Sequence, residues 1–91
     1  MKPRGKATRA SRKAIRELET RSRTLEVRIA RLVKKKDATA LAAAALDLGD
    51  QAERDRLQDL LREQSSLDNA IADLEEEWLA LNEEIDARST G

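Results

Sequence analysis

The sequence predicts an all-α chain: two long helices folded back as an antiparallel coiled-coil hairpin, with a short Ala-rich helical connector between them. Three observations carry that reading. The composition is 40% charged and 40% apolar with a single aromatic residue, Trp78, which suits long helices rather than a wide mixed core. Two stretches place apolar residues at alternating spacings of 3 and 4. The formal net charge of zero conceals a division, because residues 1–36 hold 14 Lys/Arg and 3 Asp/Glu while residues 37–91 hold 4 and 15, a net of +11 against −11.

The elements follow in order. Residues 1–7, with Pro3 and Gly5, read as a disordered basic tail. Ile15, Leu18, Ser22, Leu25, Ile29 and Leu32 then form an a/d heptad seam, giving a first helix over 8–36. Lys34, Lys35 and Lys36 suit a helix C-terminus, where cations meet the negative end of the helix dipole. Residues 37–50 form the connector, either a short helix over Ala38–Leu48 capped by Asp37 and closed by Gly49 at C′, or a looser linker. Asp50 followed by Glu53 has the spacing of a capping box for a second helix over 51–87. That helix carries Leu57, Leu60, Gln64, Leu67, Ile71, Leu74, Trp78, Leu81 and Ile85 at unbroken 3-4 spacing, and a tail follows at 88–91. The coiled-coil domain therefore covers 8–87.

The charge division favours antiparallel pairing. Arg21, Arg28 and Lys35 hold g positions of the first seam and Glu63, Glu77 and Glu84 hold g positions of the second, and g faces g in an antiparallel pair. Each such ion pair contributes about 0.3–0.5 kcal/mol. At the e positions Glu19 and Glu26 would oppose Asp68 or Glu75, a modest cost. Two registers one heptad apart fit the pattern. One sets Leu18 against Ile71 and Trp78 against Ser11. The other sets Leu18 against Trp78, Leu25 against Ile71 and Ile29 against Leu67, and it buries more apolar area. In either, the second helix outruns the first by about two heptads and leaves some of Leu74, Trp78, Leu81 and Ile85 uncovered, an apolar stripe that would suit a protein partner or a weak homodimer.

Many chemistries are excluded by composition. With no His and no Cys there is no thiol nucleophile, disulfide, Cys/His zinc site or histidine base. Gly5, Gly49 and Gly91 are too scattered for a phosphate-cradling loop. Glu75, Glu76 and Glu77 are consecutive, so a helix turns them to different faces, and no calcium-loop pattern accompanies them. No cofactor, metal site or catalysis is expected of this chain. The basic start lacks a following apolar segment, and no stretch approaches the roughly 20 residues of a membrane span. A cytoplasmic location is the expectation. Trp78 reads as a packing residue whose indole N–H finds a partner at the rim.

What remains is the cationic surface. Arg9, Arg12, Lys13 and Arg16 fall at i, i+3, i+4 and i+7, one stripe of the first helix, and Lys6 extends it into the tail. Arg31, Lys34, Lys35 and Lys36 form a second patch near the expected hairpin tip. Patches of this kind bind phosphate backbones without reading base sequence, and the lack of interleaved aromatics speaks against base stacking.

Three stretches together resemble the C-terminal coiled-coil domain of the ABC-F family of cytosolic ATP-binding-cassette proteins. They are the lead-in Arg12-Lys13-Ala14-Ile15-Arg16-Glu17-Leu18-Glu19 with the Leu25–Leu32 seam, Asp55-Arg56-Leu57-Gln58-Asp59-Leu60, and Leu74-Glu75-Glu76-Glu77-Trp78-Leu79-Ala80-Leu81-Asn82-Glu83-Glu84. The last is similar to the family's ending, in which two or three Glu precede Trp-Leu-x-Leu, and the resemblance covers about residues 8–87. None of the family's phosphate-loop or signature motifs stands in this chain, so the resemblance is to the terminal domain alone, as an excised domain would show. It implies an accessory module of a soluble, ribosome-associated ATPase, with ATP bound by upstream cassettes. It also implies a nucleic-acid partner: ribosomal RNA, tRNA or DNA.

Overall fold

The structure is a computed structural model that describes residues 9–90. It contains two helices, α1 (Arg9–Ala44, 36 residues) and α2 (Gln51–Thr90, 40 residues), packed side by side as an antiparallel hairpin. The hairpin is a rod of 74 × 14 × 14 Å. At 1.5 Å per residue α2 is about 60 Å long. A longer rod therefore requires stagger, with α2 overshooting at the loop and α1 overshooting at the open end.

The first difference from expectation is the length of α1. No helix boundary falls at Lys36, and 37–44 is not a separate connector but the continuation of α1. The physical reason lies in the seam, which does not stop where the charge changes. After Leu32 the 3-4 spacing runs on through Lys36, Thr39, Ala43 and Leu46, of which Thr39 is buried and the other three half-buried. Alanine is the best helix former, and residues 9–44 contain neither Gly nor Pro, so nothing interrupts the helix. The Thr39 hydroxyl donates to the Lys35 carbonyl at 2.9 Å, which satisfies it inside the seam. Asp37 lies within the helix and caps nothing, and Lys34–Lys36 stand well before its last turn.

The connector is the six-residue loop 45–50. Gly49 is not the C′ residue of a helix. Its N–H donates to Asp47 Oδ1 at 2.9 Å, and a Cβ there would come within 3.2 Å of that oxygen. Asp50 does cap α2, since its Oδ1 accepts from the Ala52 N–H at 2.8 Å. The capping box is half made, because Glu53 accepts from the Asp47 N–H rather than from Asp50. Arg54 ties the loop down through the Leu48 carbonyl at 2.8 Å and Gln51 Oε1 at 2.7 Å. At the other end α2 continues through Thr90, so 88–90 is helix and not tail; residues 1–7 lie outside the described residues.

The second difference is the register. Asn82 Nδ2 donates to Ser22 Oγ at 3.0 Å, Trp78 Nε1 donates to Glu26 Oε1 at 3.1 Å, and the Lys36 ammonium pairs with Asp68. The residue numbers of these three pairs add to the same total, which places Leu25 level with Trp78 and Leu18 level with Ile85. This is one heptad beyond the favoured of the two expected registers and two beyond the other. Every heptad shift keeps a opposite d, so apolar matching alone cannot choose among them. The polar seam residues choose: the buried Ser22 hydroxyl meets Asn82, and Lys36, half-buried, meets Asp68.

In this register Leu18, Leu25 and Leu81 form the central buried cluster, with Leu74, Trp78 and Ile85 packed against it. Leu60, Leu67 and Ile71 are buried nearer the loop, and Ile15, Ile29, Leu32 and Leu57 are half-buried along the seam. The expected uncovered stripe on α2 therefore does not exist, because this register sets Leu74, Trp78, Leu81 and Ile85 against the stretch of α1 from Leu18 to Ile29. The expected like-charge cost at the e positions also disappears: Asp68 meets Lys36, and Glu26 receives the indole N–H.

The Lys36–Asp68 pair makes a testable contribution. The hydrogen bond to Asp68 and its charge, reinforced by Asp37, raise the Lys36 pKa above its ordinary 10.5. A raised lysine pKa stabilises the fold below the unfolded value and ceases to do so as pH climbs through the folded value. Urea midpoints measured upward from pH 10.5 are expected to fall, and Lys36→Gln is expected to flatten that alkaline limb. An unchanged limb in the variant would show that the pair stabilises nothing.

Candidate nucleic-acid interface

Heptad geometry turns the b, c and f positions of α1 away from α2, and this outward face is where most of its cations stand. Lys13, Arg16, Arg23, Arg31 and Lys34 are exposed along it, with Arg12, Arg21 and Arg28 exposed on its flanks. From Arg12 to Lys34 the face runs about 33 Å at helical rise. Among the described residues, no carboxylate comes within salt-bridge distance of any of these eight. Arg9 is the first residue of α1, and Lys6 lies outside the described residues.

The second expected patch divides. Arg31 and Lys34 point outward, whereas Lys35 reaches Glu63 at 3.9 Å and Lys36 binds Asp68. Because α1 extends to Ala44, this patch lies partway along the rod and not at its tip. Of the expected g–g ion pairs, Lys35–Glu63 forms. Glu84 instead pairs with Arg88 of its own helix at 3.0 Å, and Arg62 pairs with Asp59 at 3.3 Å. Arg21, Arg28 and Glu77 line one shallow groove between the helices without closing into pairs. Arg21 and Arg28 thus join the cationic face instead of being neutralised across the seam.

Arg23 is the residue that the i, i+3, i+4, i+7 stripe missed. It stands one heptad after Arg16, so a scan at spacing 7 would have found it. A depression beside the stripe is lined by Lys13, Arg16, Glu17, Thr20 and Arg21, with the aliphatic stems of the basic side chains forming its walls. Thr20 and Thr24 spend their hydroxyls on the carbonyls of Arg16 and Thr20, at 2.9 and 3.0 Å, which leaves the charged groups to dominate this surface.

The opposite side of the rod is acidic, with Asp59, Asp73, Glu76 and Glu83 exposed on the outward face of α2. A cross-section of 14 Å is comparable to the Debye length of about 10 Å at 0.1 M salt. At contact range the α1 side therefore presents a net positive field and the α2 side a net negative one, so a polyanion is oriented as well as attracted.

Among the described residues no group of three or more carboxylates gathers where it could hold a metal ion, and no helix is long and apolar enough to cross a membrane. No protein-family model, curated protein or solved structure matches the chain.

Proposed function

We propose that the hairpin is a non-catalytic arm that anchors a larger assembly to the phosphate backbone of a structured nucleic acid through the outer face of α1. The run of eight exposed cations from Arg12 to Lys34, with no carboxylate in salt-bridge reach among the described residues, carries this reading. Such a surface gives affinity and orientation without base readout, and the stiffness of two packed helices supplies reach. The Glu75-Glu76-Glu77-Trp78-Leu79-Ala80-Leu81 ending supports placing the arm at the C-terminus of an ABC-F ATPase. That reading puts it in the cytoplasm at the ribosome, with ribosomal RNA or tRNA as the partner and ATP held by cassettes elsewhere.

The test is a titration of the chain with a structured RNA hairpin and a DNA duplex across salt concentrations. Affinity is expected to fall log-linearly with salt, with a slope of about −0.9 per phosphate contacted on a duplex. Arg9→Glu, Arg12→Glu, Lys13→Glu and Arg16→Glu combined are expected to weaken binding to every sequence and to flatten the slope by three to four such contacts, at about one contact per residue. Arg62→Glu, on α2, is expected to change little. Absence of binding at low salt, or binding indifferent to the fourfold reversal, would sink the proposal.

A further inference from the structure

The shallow groove along the Arg21–Arg28 edge of the rod carries charges of both signs that do not neutralise each other. Arg21 and Arg28 stand seven residues apart on α1, two turns or about 10.5 Å, and so share one side of the helix. Glu77 lines the groove from α2, almost level with Arg28 in the observed register. All three are exposed, and among the described residues no salt bridge joins Glu77 to either arginine. Glu84, one heptad after Glu77 on the same edge, is engaged by Arg88 at 3.0 Å. The base of the groove is apolar, formed by Leu25 and Leu81 of the buried cluster. The Thr20 and Thr24 hydroxyls beside it donate to carbonyls of their own helix. Polar recognition in this groove therefore falls to two guanidiniums and one carboxylate.

A nucleic-acid backbone meets that set unequally. Guanidiniums suit phosphate oxygens, which are acceptors. An ionised carboxylate also accepts hydrogen bonds and donates none, so beside a run of phosphates it opposes binding unless the ligand brings a donor. The sugar supplies that donor in RNA, as the ribose 2′-hydroxyl, and supplies none in DNA. An RNA duplex shows these hydroxyls in a wide, shallow minor groove with phosphates on either side, a surface that the edge of a helical rod can follow.

We propose that this groove is a ribose-reading subsite, in which Arg21 and Arg28 hold backbone phosphates while Glu77 accepts a hydrogen bond from a 2′-hydroxyl. The inference rests on the nucleic-acid reading above and narrows its partner to RNA.

The test measures binding of the full chain, at one low salt concentration, to three duplexes of the same base sequence. They are RNA, DNA, and RNA methylated at every 2′-oxygen, which keeps the RNA helical form and removes the donor. The unaltered protein is expected to bind RNA about three- to tenfold more tightly than either of the others, the contribution of one exposed hydrogen bond. Glu77→Ala is expected to bring the three affinities together and to raise that for DNA, because a charge of the same sign as phosphate is gone. Its helical circular dichroism is expected to stay unchanged, since the site is exposed and alanine favours a helix. Glu77→Gln keeps an acceptor oxygen and is expected to keep a preference for RNA over the methylated duplex. Arg16→Ala with Arg23→Ala, on the outward face but off the groove, is expected to weaken all three alike and to leave their ratios unchanged. Equal affinity for RNA and DNA, methylated RNA bound as tightly as RNA, or a preference that survives Glu77→Ala would each overturn the subsite while leaving the cationic interface standing. Binding to none of the three duplexes would remove the nucleic-acid reading and the subsite with it.

Discussion

Leu25→Ala is expected to lower the unfolding free energy by about 3 kcal/mol, toward the lower end of the usual range for Leu→Ala in cores. Leu25 is 5% exposed and belongs to the cluster of Leu18 and Leu81, with Leu74, Trp78 and Ile85 around it. Its removal deletes the transfer free energy of the lost methyl and methylene groups and leaves a gap opposite Trp78. A thicker core would hold that gap open. Here no described side chain is less than 2% exposed, so two helices can close on the gap and recover part of the loss. For a domain of this length about 3 kcal/mol corresponds to a fall in Tm on the order of 12–24 °C, a large share of the total stability of a small domain. Leu41→Ala and Leu79→Ala, at sites 73% and 54% exposed, are expected to stay within about 0.5 kcal/mol of the parent. Urea titration followed by helical circular dichroism distinguishes these outcomes. Equal losses at Leu25 and Leu79 would mean that the seam is not where the stability resides.

The contrast between those sites is a contrast in heptad position, and heptad position was legible in the residues themselves. Leu18, Leu25, Leu60, Leu67, Ile71 and Leu81 are inner seam positions by spacing alone, and all six are buried. The end of α1 was not legible, because two signals conflicted at Lys36 and Asp37. Composition and charge change sharply there, whereas the 3-4 period runs on through Thr39 and Ala43; the period governs, because it decides what faces the partner helix. The register was not legible in apolar area, which is nearly blind to a heptad shift; polar contacts mark the pairing, Asn82 with Ser22, Trp78 with Glu26 and Lys36 with Asp68. The candidate interface was legible in kind, since outward arginines cannot be hidden in a two-helix rod. Its membership was not. Lys36 occupies an inner a position and meets Asp68, while Arg21 and Arg28, placed by their g positions in flanking pairs, remain without carboxylates in reach among the described residues.

Trp78→Ala is expected to cost about 3 kcal/mol, and the way that cost divides tests the register itself. The indole is half-buried against Leu18, Leu25 and Leu81, and its N–H crosses the rim to Glu26. Truncation therefore removes both apolar area and one hydrogen bond to a carboxylate. Trp78→Phe keeps most of the packing and is expected to cost about 1 kcal/mol. If the hydrogen bond contributes, the cost of Trp78→Phe shrinks in a Glu26→Ala background, and the double-mutant cycle gives a coupling of about 0.5–1 kcal/mol, modest because the contact is exposed. In a register one heptad back, Trp78 sits level with Leu18. Glu26 would then be about 12 Å farther along α1 and unable to reach it. A coupling near zero would point to that pairing and would remove the alignment of Ser22 with Asn82 as well. A positive coupling would place the single aromatic residue of the chain beside Leu25, where the cluster that holds the two helices together is centred.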